Sequence, residues 1–557
     1  MADKPADSDN DENQPWLQRQ WQRVRNLWAR DIVIGQVGEG ATNVVIGKNN
    51  VQINVGGRNL TLPIWLIALL LLAIVTLWVY PLVWPYWNPT RMESTFNIVV
   101  TEFGETDAGW FEQRPNVTEF LSSWLAKQLA NDTNWGDDNP GIQVWQNDLP
   151  AVTAAIQPRL PSVTTAAAAQ RLAERRNAYL VIYGDLNRTT DPATLTLNFY
   201  YKPPPIRSEL VDVFAGPQQI GKPVTIANID TDLYTYEIDR PDHPLRLRTL
   251  ALIWLAHGLF KDLTGDPAGA LRIFQQAETA LPAWQDQDGK WLLYFLQGRE
   301  AFILHQLPEA EKAFNRAITA NPQYLNGYIG RANVYYDFAQ RGLLAKMPVV
   351  AMPTDNAACT EQNTMDAGMV DPALLPQSTE DMLAYVDHAL DDYTMVAQSS
   401  QSQPNASDPG QALLHDIAQW MIGNSSRLKA DTYLAAQQFD QAEPVLVTAE
   451  TTVTAALERF RADENSGEFA LQAQYNLGLV KRAQGYLAGE GEGDWTKSRQ
   501  AYREAQNEFT QCVSQATTQW PARPRFFARS PLCSCQQFAA DVEQKLQEIE
   551  EQQGGDG

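Results

Sequence analysis

A chain of 557 residues is long enough for several domains, and its formal net charge of −23 excludes a nucleic-acid binder, which needs a positive footprint. Residues 1–60 carry seven basic and seven acidic side chains, so the acid excess lies entirely after them. Four cysteines are too few for a disulfide-built scaffold. Cys512 can pair with Cys533 or Cys535, or all can be free thiols, and no histidine stands near the close pair to complete a zinc site.

Residues 1–14 are acidic and polar, a composition that predicts disorder. Leu17, Trp21, Val24 and Trp28 then recur at 4-3-4 spacing among Arg19, Arg23, Arg25 and Arg30. That pattern predicts a basic amphipathic helix, suited either to an inner membrane leaflet or to a cytoplasmic partner. In residues 31–57 alternating Ile and Val, broken by Gly and Asn, predict short strands and tight turns. The GEGATN stretch is not a dinucleotide fingerprint, because Asn43 stands where the third glycine belongs. Gly47-Lys48 is not a phosphate loop, because Asn49 follows and Thr42 replaces the leading glycine.

Leu62 to Trp87 form an uninterrupted apolar run without a charge. A helix of roughly 20–25 residues spans the ~30 Å hydrocarbon core, so one transmembrane helix is expected over 61–88. Trp78, Tyr80, Trp84, Tyr86 and Trp87 crowd one end of the run and Trp65 the other, as an aromatic belt would. Arginines precede the run, while Glu93, Glu102 and Glu105 follow it. The positive-inside rule then places residues 1–60 in the cytoplasm and the rest outside.

Residues 92–240 predict a small α/β domain. Strand patterns fall at Phe96–Phe103, Ile142–Trp145, Tyr179–Gly184 and Leu195–Tyr201, with helical patterns at Val117–Leu129 and Ala166–Arg176. This order fits a mixed sheet with helices on one face. Val99–Phe103 and Ala178–Gly184 are similar to the opening and middle strands of the periplasmic domain of penicillin-binding-protein activators and curli-secretion lipoproteins. That resemblance implies an accessory, partner-binding role and no catalysis.

From 248 to 520 small and large residues recur in a unit of about 34 residues. Trp254, Gly258, Ala270, Phe274, Ala277 and Pro282 mark the first unit, and Tyr294, Gly298, Ala310, Phe314, Ala317 and Pro322 the second. Tyr328, Ala332, Tyr335, Ala389 and Tyr393 mark the third, which an insertion at 343–378 interrupts. Ala430, Tyr433, Ala442, Leu446 and Ala449 mark the fourth, and Leu477, Gly478, Ser498, Tyr502 and Ala505 the fifth. The chain resembles the tetratricopeptide-repeat (TPR) family. The resemblance implies a mainly α, TPR-like solenoid in which small residues let paired helices approach and an aromatic fills the gap between them. It places a groove for a protein or peptide ligand at Phe295, Arg299 and Phe302, at Asn326, Asn333 and Tyr336, at Arg427 and Asp431, and at Tyr475 and Arg482. Asn and Arg there would bond an extended backbone or a carboxylate, with aromatics as anchors.

The insertion, with Met347, Met352, Met365, Met369 and Cys359, is expected to be disordered or functional. Residues 521–557 combine PARPRFFARSP with a charged closing helix over Phe538–Ile549, expected to cap the array. The five histidines show no paired spacing. The acidic stretch from Asp132 to Asp138 misses the calcium-loop order, and no Gly-x-Ser-x-Gly, HExxH or Cys–His pairing is present. No enzyme activity, cofactor or metal is expected. The sequence predicts a bacterial single-pass inner-membrane protein. Its outer domains either scaffold protein partners or sense a ligand and signal through the cytoplasmic segment.

Overall fold

A computed structural model describes residues 32–34, 41–46, 50–55, 58–63, 69, 92–106, 117–132, 141–145, 162–189, 192–202, 216–219, 221, 223–226, 238, 240, 243–280, 289–346, 372–402, 409–462, 467–519 and 531–554. The chain divides into two compact units, residues 1–90 with 149–158, and residues 91–148 with 159–557.

In the first unit four strands, β1 (Ile32–Ile34), β2 (Ala41–Ile46), β3 (Asn50–Val55) and β4 (Arg58–Pro63), form an antiparallel sheet in chain order. Thr61, Leu62 and Pro63 pair with Gln52, Val51 and Asn50. This pairing corrects the expected helix over 61–88, because a ladder takes the backbone that the start of the helix would need. Among the described residues no helix is long and apolar enough to cross a membrane. A single-pass anchor, an inner-membrane location with residues 1–60 cytoplasmic, outer placement of the later domains and a membrane partner are therefore unsupported. So is a tetratricopeptide membrane protein. The rest of the apolar run apart from Leu69, the basic helix expected over 15–30, the loop 133–140, residues 347–371 and the stretch 520–530 lie outside the described residues.

The second unit opens with an α/β layer. Its strands are β5 (Phe96–Val100), β6 (Gly104–Thr106), β7 (Ile142–Trp145), β8 (Leu180–Asn187), β9 (Ala193–Tyr201), β10 (Gly216–Gln219) and β11 (Val224–Ile226). The sheet order is β10-β9-β8-β5-β7, with β11 also on β9 and β6 also on β8. β5 runs parallel to β7 and β8, while β9 is antiparallel to β8. The central strands are apolar on both faces, as FNIVV and LVIY require when both are covered.

Helix α1 (Val117–Asp132) sets Leu121, Leu125 and Leu129 against Phe96, Ile98 and Ile182. Helix α2 (Ala166–Arg176) sets Ala169, Leu172 and Ala173 against Val99, Val181 and Tyr183. The helices thus lie on opposite faces of the sheet, not on one. The alternation of strand residues makes both faces available, and α2 is anchored by Thr165 at its N-cap and by left-handed Asn177 at its end.

The remaining helices are α3 (Pro244–Leu263), α4 (Pro267–Ala280), α5 (Lys290–Ile303), α6 (Leu307–Ala320), α7 (Leu325–Lys346), α8 (Thr379–Ser402), α9 (Pro409–Ala435), α10 (Phe439–Ala462), α11 (Gly467–Tyr486), α12 (Trp495–Gln519) and α13 (Pro531–Gly554). A π-helical turn, Leu487–Gly491, extends α11. Each helix packs on the next, and the first helices of neighbouring pairs also touch: α5 on α7, α7 on α9, α9 on α11 and α11 on α13. The α/β layer joins this array without a break, since α3 packs on α1 and β11, and Phe96 meets Phe260 edge-on at 6.4 Å. One apolar core runs from Phe96 to Leu477.

Glycines set the spacing inside the pairs. The ring of Phe314 on α6 lies against Gly298 of α5 and Gly330 of α7, where an added Cβ would come within 2.9 and 2.3 Å of it. Phe274 meets Gly258 in the same way.

Ionic staples then tie each pair to its neighbour. Arg316 of α6 and Gln297 of α5 bind Glu278 of α4. Arg331 of α7 forks onto Asp392 of α8 at 2.8 and 2.7 Å and reaches Asn315 of α6 at 2.7 Å. Lys429 of α9 meets Asp387 of α8 at 2.6 Å, and Lys481 of α11 sits between Glu450 of α10 and Glu504 of α12 at 2.7 and 2.8 Å. A disulfide between Cys512 of α12 and Cys535 of α13 fixes the last helix, resolving the cysteine alternatives.

Gly330→Ala is predicted to cost about 1–3 kcal/mol by overpacking against Phe314. A second change, Phe314→Leu, recovers part of that loss by opening space. Denaturant unfolding of the single and double variants checks both; equal stability of Gly330→Ala and the parent chain contradicts the packing.

Candidate functional site

The groove residues named from the repeat pattern sit on first helices at helical spacing. Phe295, Arg299 and Phe302 (i, i+4, i+7) share a face of α5, and Asn326, Asn333 and Tyr336 a face of α7. Arg427 and Asp431 share one on α9, and Tyr475 and Arg482 one on α11.

The structure places them at different depths. On α5 the row is closed. Phe295 is buried between the rings of Phe314 and Tyr324, both 5.6 Å away. Arg299 is 9% exposed and bonds Asp262 of α3 at 3.0 Å as well as Glu300. Phe302 packs half-buried on the core. On α7 Asn326 is buried, and Asn333 accepts a 2.5 Å hydrogen bond from Tyr393 of α8.

Further along, three of the named residues meet. The Tyr336 hydroxyl donates to Asn424 Oδ1 at 3.2 Å and accepts from the Arg427 guanidinium at 2.7 Å. Arg427 also donates through Nε to Asn424 at 3.2 Å and through its other terminal nitrogen to Asp431. Arg482 donates through Nε to Asp541 of α13 at 2.6 Å and lies 5.5 Å over the ring of Phe538. Phe538 also packs on Tyr475 at 5.8 Å and stacks on Phe509 at 5.8 Å.

Asn424 and Asp541 escaped the sequence reading. Asn424 carried a weak signal, standing three residues before Arg427 on the same face. Asp541 carried none, because it stands on a helix read only as a cap, 59 residues from its partner Arg482.

Access follows the same gradient. The Arg427 side chain is 7% exposed, Asp431 18% and Arg482 32%. Burial disfavours the charge on both arginines. Tyr336 and Asp431 beside the first, and Asp541 and Asp431 beside the second, outweigh it and hold both guanidiniums above the ordinary arginine value. Tyr502 of α12 faces the same charges. Burial pushes its hydroxyl up to about 12, against the pull of Arg482.

The arrangement therefore offers fixed guanidinium donors, one carboxylate with some exposure and an aromatic wall. That inventory suits recognition of a polar chain; it pairs no nucleophile with a base. Among the described residues no cluster of His, Cys, Asp or Glu could hold a metal ion. No protein-family model and no curated protein matches the chain.

Tyr502 supplies a pH signature. Its folded value near 12 lies above the ordinary value of 10.0, so the protonated phenol favours the fold. That contribution is complete below pH 10 and is lost as pH rises toward 12, a change of about 2–3 kcal/mol at most. The gap between denaturant midpoints measured at pH 9 and pH 12 is predicted to narrow in Tyr502→Phe, the remainder being carried by the other raised phenols, Tyr200 and Tyr335 among them. An unchanged pH dependence in that variant contradicts the assignment.

Proposed function

We propose that the paired helices form a solenoid that binds an extended protein segment without catalysis, and that recognition is centred on Asp431, Tyr475 and Arg482. Residues nearer the start of the row, from Phe295 to Tyr336, brace the array from inside and set the position of Arg427. The observation that carries this reading is Arg482. Its Nε is held by Asp541 and its plane by Phe538, while a third of the side chain stays open to solvent. A guanidinium fixed in this way loses little freedom on meeting a carboxylate or a backbone carbonyl. Asp431, between Arg427 and Arg482 in charge, adds an acceptor for an N–H of the same segment.

A peptide library displayed on phage and selected against the full chain tests the proposal. It predicts an enriched motif whose binding falls about tenfold in Arg482→Ala, the cost of roughly one charge-assisted bond. No enrichment, or equal binding by parent and variant, contradicts it.

A further inference from the structure

A cavity of about 270 Å³ opens between α10, the end of α11 with its π-helical turn, and the start of α12. Its floor is apolar: Leu446 and Leu487 are buried there, Ala501 lines it, and Val447 is 57% exposed. An exposed valine in a hollow gives an aliphatic stem something to cover.

The polar rim holds three carboxylates, two amides and one ammonium, that of Lys497. Glu443, Glu492 and Glu504 reach it from three separate elements. Two amides complete it, and both have their nitrogens engaged: Gln484 donates to Glu450 at 2.6 Å, and Gln500 donates to Glu504 at 3.1 Å. Their carbonyl oxygens remain as further acceptors.

Cations are already held on this rim in one manner. Lys497 reaches both oxygens of Glu492 at 3.0 and 2.9 Å, and Lys481 sits between Glu450 and Glu504. Those two lysines leave the carboxylates Glu443, Glu450, Glu492 and Glu504 in excess, and Glu443, which meets Lys497 through its charge, takes no hydrogen bond or ion pair among the described residues.

We propose that this cavity binds an aliphatic primary ammonium. An ammonium has three donors and no acceptor, which complements a rim rich in acceptors. Carboxylates converging from three elements fit a compact point charge better than a planar guanidinium fork. The apolar floor takes the alkyl stem. The site is independent of the inner row, and its test does not depend on a peptide being found there.

Two sources share this chemistry, a free aliphatic amine and a lysine side chain of a partner protein. Isothermal titration of the full chain separates them with three probes: 1,5-diaminopentane, a lysine blocked at both its amino and carboxyl groups, and 1-pentanol. Saturable binding of either amine, with none of the alcohol, is the expected result. Tighter binding of the blocked lysine assigns a protein side chain, and tighter binding of the diamine assigns a free amine. Glu443→Gln should weaken the amine by about fivefold, and Lys497→Gln, which removes a competing cation, should tighten it by about threefold. Both positions are exposed, and unchanged circular dichroism checks their folding. Binding of the alcohol equal to that of the amines, no saturable binding of either amine, or amine affinities unmoved by both substitutions overturns the proposal.

Discussion

The Phe314 ring stands between two bare backbones, Gly298 on the helix before it and Gly330 on the helix after it. That contact fixes two distances at once, the one within a helix pair and the one between pairs. Neither glycine can be enlarged without moving the ring, so α5, α6 and α7 behave as one packed body. The staples depend on this spacing. Arg331 reaches Asn315 and Asp392 only while α6, α7 and α8 keep their separation, and Gln297 reaches Glu278 only while α4 and α5 keep theirs. Close packing brings the charges into register; the charges then oppose sliding of one pair past the next.

The same constraint shapes the candidate site. First helices touch their counterparts in the next pair, so polar side chains on that face find partners inside the protein. Early in the row they find them completely. Arg299 is spent on Asp262 and Glu300, and Tyr336 on Asn424 and Arg427. Toward the end the partners come from α13, a single helix with no second helix behind it among the described residues. There Arg482 keeps a solvent-facing edge. The proposed binding surface is thus the place where the inner row keeps polar edges open to solvent.

Much of the helical part was legible in the sequence because small and aromatic residues repeat where helices must approach. Gly258 with Phe274 and Gly298 with Phe314 lie where the repeat set them. The fifth pair departs: Gly478 meets Phe509, while Tyr502 meets Gly485, two helical turns further along. Local spacing fixes which face a residue takes but not its register against another helix. The polar row was legible only as a row. The pairings of Tyr336 with Asn424 and Arg427, and of Arg482 with Asp541, join residues 59 to 91 positions apart, and no local pattern encodes them. The apolar run was read from length and hydropathy alone, which do not register that Thr61, Leu62 and Pro63 already belong to a ladder with β3. Both faces of the α/β sheet are covered because the strand core alternates into two apolar sides, whereas the element order alone was read as helices on one face.

The central claim is the gradient of access along the inner row. Reaction of the folded full chain with phenylglyoxal, read residue by residue by mass spectrometry, measures it directly. The account predicts fast modification at Arg482 and protection at Arg299 and Arg427 until the chain unfolds. Equal modification of the three, or protection of Arg482, would contradict it.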